Sequence, residues 1–320
     1  MKRYHIYGIG NALVDIVFNV DQPFLEKHSI EKGVMTLVDE ARQNYLMDEV
    51  NQLSPTLSCG GSAANTIIGS QQLGLKNFYS YQVASDYFGE FYSKDLTSHG
   101  VSVPSNNHAI EGHTGKCMVM VTPDADRTMN TFLCSTLLFN EALIDWEALA
   151  QSEWLYVEGY LLAQESAYEA CLKIIPFARE NGVKISFSLS DPFIVQVFKE
   201  RVEKIISLGI DFVFCNLSEA KELTNAQNTH LVEESLKKMV GAYAITLGDQ
   251  GALSGDKHTS FRVSAKKVTA IDTNGAGDAF AGAFLFGLCQ NFSLEKCAQM
   301  GVILASEVVS QVGPRLSNEK

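Results

Sequence analysis

Between Asp272 and Phe284 the chain reads DTNGAGDAFAGAF. Gly275, Ala276 and Gly277 lead directly into Asp278, and small and aromatic apolar residues follow. A glycine-rich turn that opens a helix presents backbone N–H groups with no intrahelical partner, and the helix dipole draws an anion to that end. A carboxylate there can simply complement the dipole. Here, however, the helix beyond is apolar on nearly every face, as a buried helix is. Gly275 and Gly277 leave room for a ligand against the backbone, and Asp272 and Thr273 add polar groups to the loop. A carboxylate beside an anion hole suits phosphoryl transfer. It takes the proton of an attacking hydroxyl while the amides hold the phosphoryl charge.

Four other stretches carry residues of the right types. GIGNALVD, residues 8–15, has the glycine spacing of a dinucleotide loop only in part: its sixth position is Leu13, and a strand pattern follows instead of a helix. Asn11 and Asp15 at a strand end can instead hold neighbouring hydroxyls of a polyol, or can be ordinary polar residues there. In CGGSAANT, residues 59–66, Gly61 precedes a helix whose first turns carry Asn65. That is either a tight turn under a small-residue helix or a second wall of the same site. In FCNLSEAKEL, Asn216 and Glu219 are three apart and share a helix face. They can organise hydrated Mg2+ or phosphate; alternatively Ser218 is an N-cap and Glu219 a first-turn acid. ITLGDQGALS places Gly248 and Gly251 in a turn that is a hairpin or a nucleotide loop. Arg127 is a candidate phosphate clamp.

The elements that must position these groups alternate. Strand patterns at FYSYQVAS, WLYVEGYLL, VKISFSLS, IDFVFCN and AYAITLG are interleaved with helical patterns at GSAANTIIGSQQLG, SAYEACLKIIPFARENG, RVEKIISLG and SEAKELT. GDAFAGAFLFGLCQ and SLEKCAQMGVILASEVVSQVG are both helical, the second predicted to stop at Gly313-Pro314. Such alternation predicts an α/β fold: a Rossmann-like, mostly parallel sheet with helices on both faces. Ligands of such sheets sit beyond the C-terminal ends of the strands, where the candidates fall. Two stretches break the rhythm. One is IVFNVDQPFLEKHSIEKGVMTLVDE; the other is TGKCMVMVTPDADRTMNTFL, two β runs around TPDAD. They predict a small β-sheet lid at 16–59 and 113–135. The α/β domain is then 1–15, 60–112 and 136–320.

Bulk properties narrow the partners. With 46% hydrophobic and 19% charged residues the chain can bury a large core. A net charge of −12 disfavours nucleic acid and anionic membrane. The seven cysteines include no CxxC pair and fit reduced thiols. The broken apolar start is a poor signal peptide, no span is long enough to cross a membrane, and a cytoplasmic location is expected.

Taken together, DTNGAGDAF, GGSAAN and NLSEAKEL resemble the motifs of the ribokinase-like (PfkB-type) family of sugar and nucleoside kinases, in order and along essentially the whole chain. GNALVDI and DPFIVQVFKERVEKIISLGIDFVFCNLSEA are most similar to its adenosine kinase branch. The resemblance implies ATP and Mg2+, often with activation by a monovalent cation such as K+. It implies γ-phosphate transfer to a primary hydroxyl, the 5′-hydroxyl of a nucleoside such as adenosine. The alternatives are a simple sugar (ribose, fructose or a keto-deoxy sugar acid) or a non-catalytic ligand-binding regulatory protein. By the same resemblance Asp278 is the base, and the amides of Gly275, Ala276 and Gly277 form the anion hole. Asn11, Asp15, Gly61 and Asn65 hold the ribose. Asn216 and Glu219 act on Mg2+ through water. Gly248, Gly251, Thr273 and Arg127 lie near ATP. Where the adenosine kinase pattern has a glutamine facing the base, GVMTLV places Met35; Tyr160 and Phe193 are the candidates to pack on the base. Monomer and homodimer, paired through lid edges, are both compatible.

Overall fold

A computed structural model describes residues 2–50, 52–105, 109–124 and 126–316. Ala125, within the expected TPDAD turn, lies outside the described residues. The strands, in chain order, are β1 (Tyr4–Ile9), β2 (Leu13–Asn19), β3 (Met35–Leu37), β4 (Thr56–Gly60), β5 (Asn77–Ser80), β6 (Gly115–Val121) and β7 (Arg127–Phe132). They continue with β8 (Ser152–Glu158), β9 (Lys184–Ser188), β10 (Phe212–Asn216), β11 (Ala242–Thr246), β12 (Ala252–Asp256) and β13 (Ser260–Val263).

Period-2 side-chain alternation explains the large sheet. Ile6, Trp154, Tyr156, Phe212 and Phe214 join one buried cluster, while Tyr7, Ile9, Leu155, Val157, Val213 and Cys215 join another. Each strand is apolar on both faces, as expected of a parallel sheet covered on both sides. The order is β13-β12-β11-β10-β9-β8-β1-β5. Pairing is parallel from β5 through β11 and antiparallel at β11–β12 and β12–β13. The result is a mostly parallel sheet flanked by helices, as the sequence pattern predicts. A second sheet has the order β3-β7-β6-β2-β4. Its strands come from residues 13–60 and 115–132, and β1 leads into it through the short Gly10–Ala12 crossing.

One face of the large sheet carries three helices: Ser62–Gln72, Ala276–Cys289 and Leu294–Val308. Phe284 wedges against Phe212 and Phe214, with ring centroids 4.8 and 5.6 Å away. Gly282 lets the Ala276 helix approach the Ser62 helix, since a Cβ there would lie 2.8 Å from the Thr66 carbonyl. The apolar sequence of the Ala276 helix is thus that of a helix clamped between a sheet and two neighbours.

Some boundaries differ from expectation. The last helix stops at Val308, not at Gly313-Pro314. The Val309 N–H closes the helix, but the Ile271 and Asp272 amides donate to its carbonyl, so the chain leaves the helical path there. Helices Tyr87–Ser98 and Glu40–Glu49, each N-capped by an aspartate, lie outside the helical patterns read from the sequence. A short helix, Gln22–Lys27, also interrupts the first β-patterned stretch.

Candidate active site

The sharp turn at Gly275 (φ 74°) starts the Ala276 helix and sets Asp278 in its first turn. Two side chains of the Ser62 helix reach the carboxylate. Ser62 Oγ donates to Asp278 Oδ1 at 2.6 Å, and Asn65 Nδ2 donates to Oδ2 at 3.0 Å. Both helices start at the same crevice because Gly61 (φ 93°) and Gly275 turn the chain there. Burial pushes the Asp278 carboxyl up to about 6, and the Ser62 and Asn65 hydrogen bonds hold it from rising further. A group so placed is ionised at neutral pH and accepts a proton readily.

Beside Asp278 lies the end that could take an acceptor. Asp15 on β2 is buried, and no hydrogen bond or ion pair among the described residues engages its carboxylate. Burial raises it to about 7, against the charges of Arg315 and Arg127; Asp278 and Asp272 push it further upward. Gly60 opposite has no room for a side chain, because a Cβ would strike the Asp15 carboxylate. Asn11 Oδ1 accepts from Thr136 Oγ1 (3.2 Å) and Gln164 Nε2 (2.8 Å), which leaves its amide nitrogen as the donor for a ligand. Met35 stands exposed on the small sheet's edge strand. Tyr160 follows β8, and its hydroxyl donates to Asp191 Oδ2 at 3.5 Å. Asp191 also caps the helix that exposes Phe193. Tyr160 and Phe193 therefore share a patch, while Met35 belongs to the other sheet.

A cavity of about 180 Å³ brings Gly277, Asp278, Asn216 and Glu219 together with Ser62. Asn216, not Ser218, is the N-cap of helix Leu217–Thr224. Its side chain accepts from the Glu219 N–H (2.8 Å), and Glu219 Oε2 accepts from the Asn216 N–H (2.9 Å). This reciprocal capping box also aims both side chains at the cavity. Burial raises the Glu219 carboxyl to about 7. Among the described residues no cluster of three or more His, Cys, Asp or Glu side chains is arranged for a metal ion. One carboxylate with an amide fits Mg2+, which keeps most of its waters and takes phosphate oxygens.

A larger adjoining cavity, about 580 Å³, is lined by Gly248, Gly251, Thr273, Ala276 and Gly277, with Phe280 and Val302 on its apolar wall. The β11–β12 stretch is an antiparallel hairpin, and its turn borders this cavity. A Cβ added at Gly248 or Gly277 would meet only open space, so backbone there faces the cavity. Gly277 borders both cavities, which makes the start of the Ala276 helix their junction. Arg127 on β7 pairs with Asp272, in the loop before that helix.

Three residues at this site escape the sequence reading. Ser62 is masked by its N-terminal helix position. Arg315 lies past the last helix, in no motif. Glu158, at the end of β8, had a signal: it is a buried acid that closes the apolar run 154–157. It accepts from the Ala63 (3.0 Å) and Asn11 (3.3 Å) amides and so ties the two glycine turns together. Burial lifts it to about 8.

Residues 34–320 match the family model described as pfkB family carbohydrate kinase. The crystal structure of adenosine kinase from Sinorhizobium meliloti is 33% identical, with a TM-score of 0.89, covering 98% of this chain and 96% of that one. A probable sugar kinase from Rhizobium etli is 31% identical with a TM-score of 0.90, again over 98% and 96%. Adenosine kinase of Saccharomyces cerevisiae is 29% identical over 98% of this chain and 96% of its own length.

Proposed function

The chain belongs to the pfkB family of carbohydrate kinases, phosphotransferases that act on a hydroxyl group, and from that premise we propose that it transfers the γ-phosphate of ATP to the 5′-hydroxyl of a nucleoside, adenosine foremost. One observation carries the reading: Asp278, held by Ser62 and Asn65 at the start of a buried helix, lines the smaller cavity next to Gly277, which borders both cavities. ATP lies in the larger cavity against Gly248, Gly251 and Thr273, with its terminal phosphate toward the Gly275, Ala276 and Gly277 amides. The acceptor lies between Asp15, Asn11, Gly61 and Asn65. Asp278 takes the hydroxyl proton as that oxygen attacks phosphorus, and the amides hold the charge that develops on the phosphoryl oxygens. Asn216 and Glu219 would hold hydrated Mg2+, which would neutralise phosphate charge when bound. Closure of the small sheet over the crevice keeps water from the phosphoryl group.

A second reading takes a simple sugar or keto-deoxy sugar acid by the same mechanism. Met35 favours it, since a thioether offers a purine no donor and only a weak acceptor. An assay of ADP release over adenosine, inosine, ribose and fructose separates the two. Turnover confined to nucleosides supports the first reading, and turnover confined to sugars rejects it.

A further inference from the structure

The segment after the last helix returns to the crevice. The Gly313 N–H donates to Asp272 Oδ2 at 2.6 Å, Pro314 packs on the Gly275 turn, and Gln72 Nε2 donates to the Leu316 carbonyl at 3.2 Å. Between these anchors stands Arg315, whose side chain is nine-tenths buried. Its Nη2 donates to Asp95 Oδ2 at 3.1 Å. The same oxygen accepts from the Cys59 N–H at 2.9 Å. Cys59 pairs with Val14 across β2–β4, and the next residue on β4, Gly60, has the Asp15 carboxylate where a side chain would be. Asp95 thus pins the guanidinium to the backbone beside Asp15. The other nitrogen, Nη1, is buried and has no hydrogen-bond partner among the described residues.

A buried guanidinium N–H without an acceptor is costly, and a fold retains one where a ligand supplies the acceptor. Asp15 can only accept, and its carboxylate is unengaged. A polyol hydroxyl needs both an acceptor for its proton and a donor for its oxygen. Resting on the kinase reading above, we propose that Arg315 is a substrate-binding residue: its Nη1 donates to the oxygen of an acceptor hydroxyl whose proton Asp15 accepts. The pair reads the vicinal hydroxyls of the acceptor that are not phosphorylated. Arg127, whose own Nη1 is buried without a hydrogen-bond partner among the described residues, flanks Asp15 on the side of Asp272 and Cys117. Around Asp15, then, the charges are those of Arg315, Arg127, Asp278 and Asp272, with the neutral thiols of Cys59 and Cys117 nearby.

The test compares wild type, Arg315→Gln and Arg315→Lys on the preferred acceptor and on its analogue lacking one vicinal hydroxyl (2′- or 3′-deoxyadenosine if adenosine is preferred). Thermal unfolding confirms that each variant is folded. Loss of a hydrogen bond to a charged donor should raise the acceptor KM of Arg315→Gln about 10- to 100-fold. The ATP KM and kcat should stay near wild type, and Arg315→Lys should recover part of the loss. The loss should shrink to near nothing on the deoxy analogue whose missing oxygen Arg315 contacts. An equal loss on parent and both analogues, or no loss at all, overturns the proposal. If wild type turns over no acceptor, the kinase reading fails, and Arg315 is judged on calorimetric binding of the same acceptors without ATP. Equal binding by wild type and Arg315→Gln, or none by either, then rejects it.

Discussion

At the scale of single residues, Asp278 and Asp15 are two buried carboxylates with different surroundings. Burial raises both, Asp278 to about 6 and Asp15 to about 7, yet their hydrogen-bond environments differ. Asp278 is held by two side-chain donors, while Asp15 is left open to a ligand. Replacing Asp278 by Asn keeps the shape but removes the proposed base. Steady-state kinetics should show kcat lowered roughly 10²- to 10⁴-fold, with acceptor binding retained. Near-full activity would remove Asp278 from its role. The wild-type profile of kcat/KM reports the free enzyme, so its acid limb should open near pH 7 as Asp15 takes a proton and steepen near pH 6 as Asp278 does. Since the two carboxylates influence each other, these values belong to the pair. Asp278 was legible in the sequence because glycines and an apolar helix frame it. Arg315 and Ser62 were not, because their roles arise only when distant segments meet.

Among elements, the turn at Gly275 and the first turn of the following helix make different demands on two glycines two residues apart. At Gly275 φ is 74° and a Cβ would run into the Pro314 carbonyl and its ring. Neither backbone segment can yield freely, since the Gly313 amide is tied to Asp272. Gly275→Ala should therefore cost stability, on the order of 1–3 kcal/mol for a side chain forced into that region. Gly277 has helical φ and open space around it. Gly277→Ala should melt near the wild-type temperature but lose activity, because its methyl group enters the space proposed for the phosphoryl group. Thermal melts paired with rates distinguish the two, and equal destabilisation of both variants would break the argument. The strand–helix alternation of the large sheet was readable because each buried strand is a short apolar run closed by glycine or a polar cap. The small sheet was visible as a break in that rhythm, but its pairing was not. Its β2–β6 and β3–β7 pairs are parallel and join residues about 100 positions apart. No local pattern encodes such a partner, and the intervening helices Gln22–Lys27 and Glu40–Glu49 blur the period further.

For the molecule as a whole, the fold buries four carboxyl groups from separate segments, Asp278 and three around it. These are Asp15 (about 7), Glu158 (about 8), Glu219 (about 7) and Asp278 (about 6), and burial is the first cause in each. In the unfolded chain such groups titrate near ~4. Between roughly pH 4 and pH 8 the native protein thus binds more protons than the unfolded chain does, and its stability must fall as pH rises through that window. The favourable contribution is complete below the unfolded values and is lost as pH climbs through the native ones. This is opposite in sign to the acid lability of salt-bridged carboxylates. Asp124, lowered to about 2 mainly by its hydrogen bond to Lys32, does follow the ordinary rule, but its window lies below pH 4. Ligand-free protein should accordingly melt at a lower temperature at pH 8.5 than at pH 6, and Asp15→Asn should flatten the slope. A melting temperature that climbs steadily from pH 6 to 8.5 would contradict the burial of these charges. The same physics links stability to the proposed activity: the pH that would ionise Asp15 and Asp278 for catalysis is the pH at which these buried carboxyls cost the ligand-free fold most.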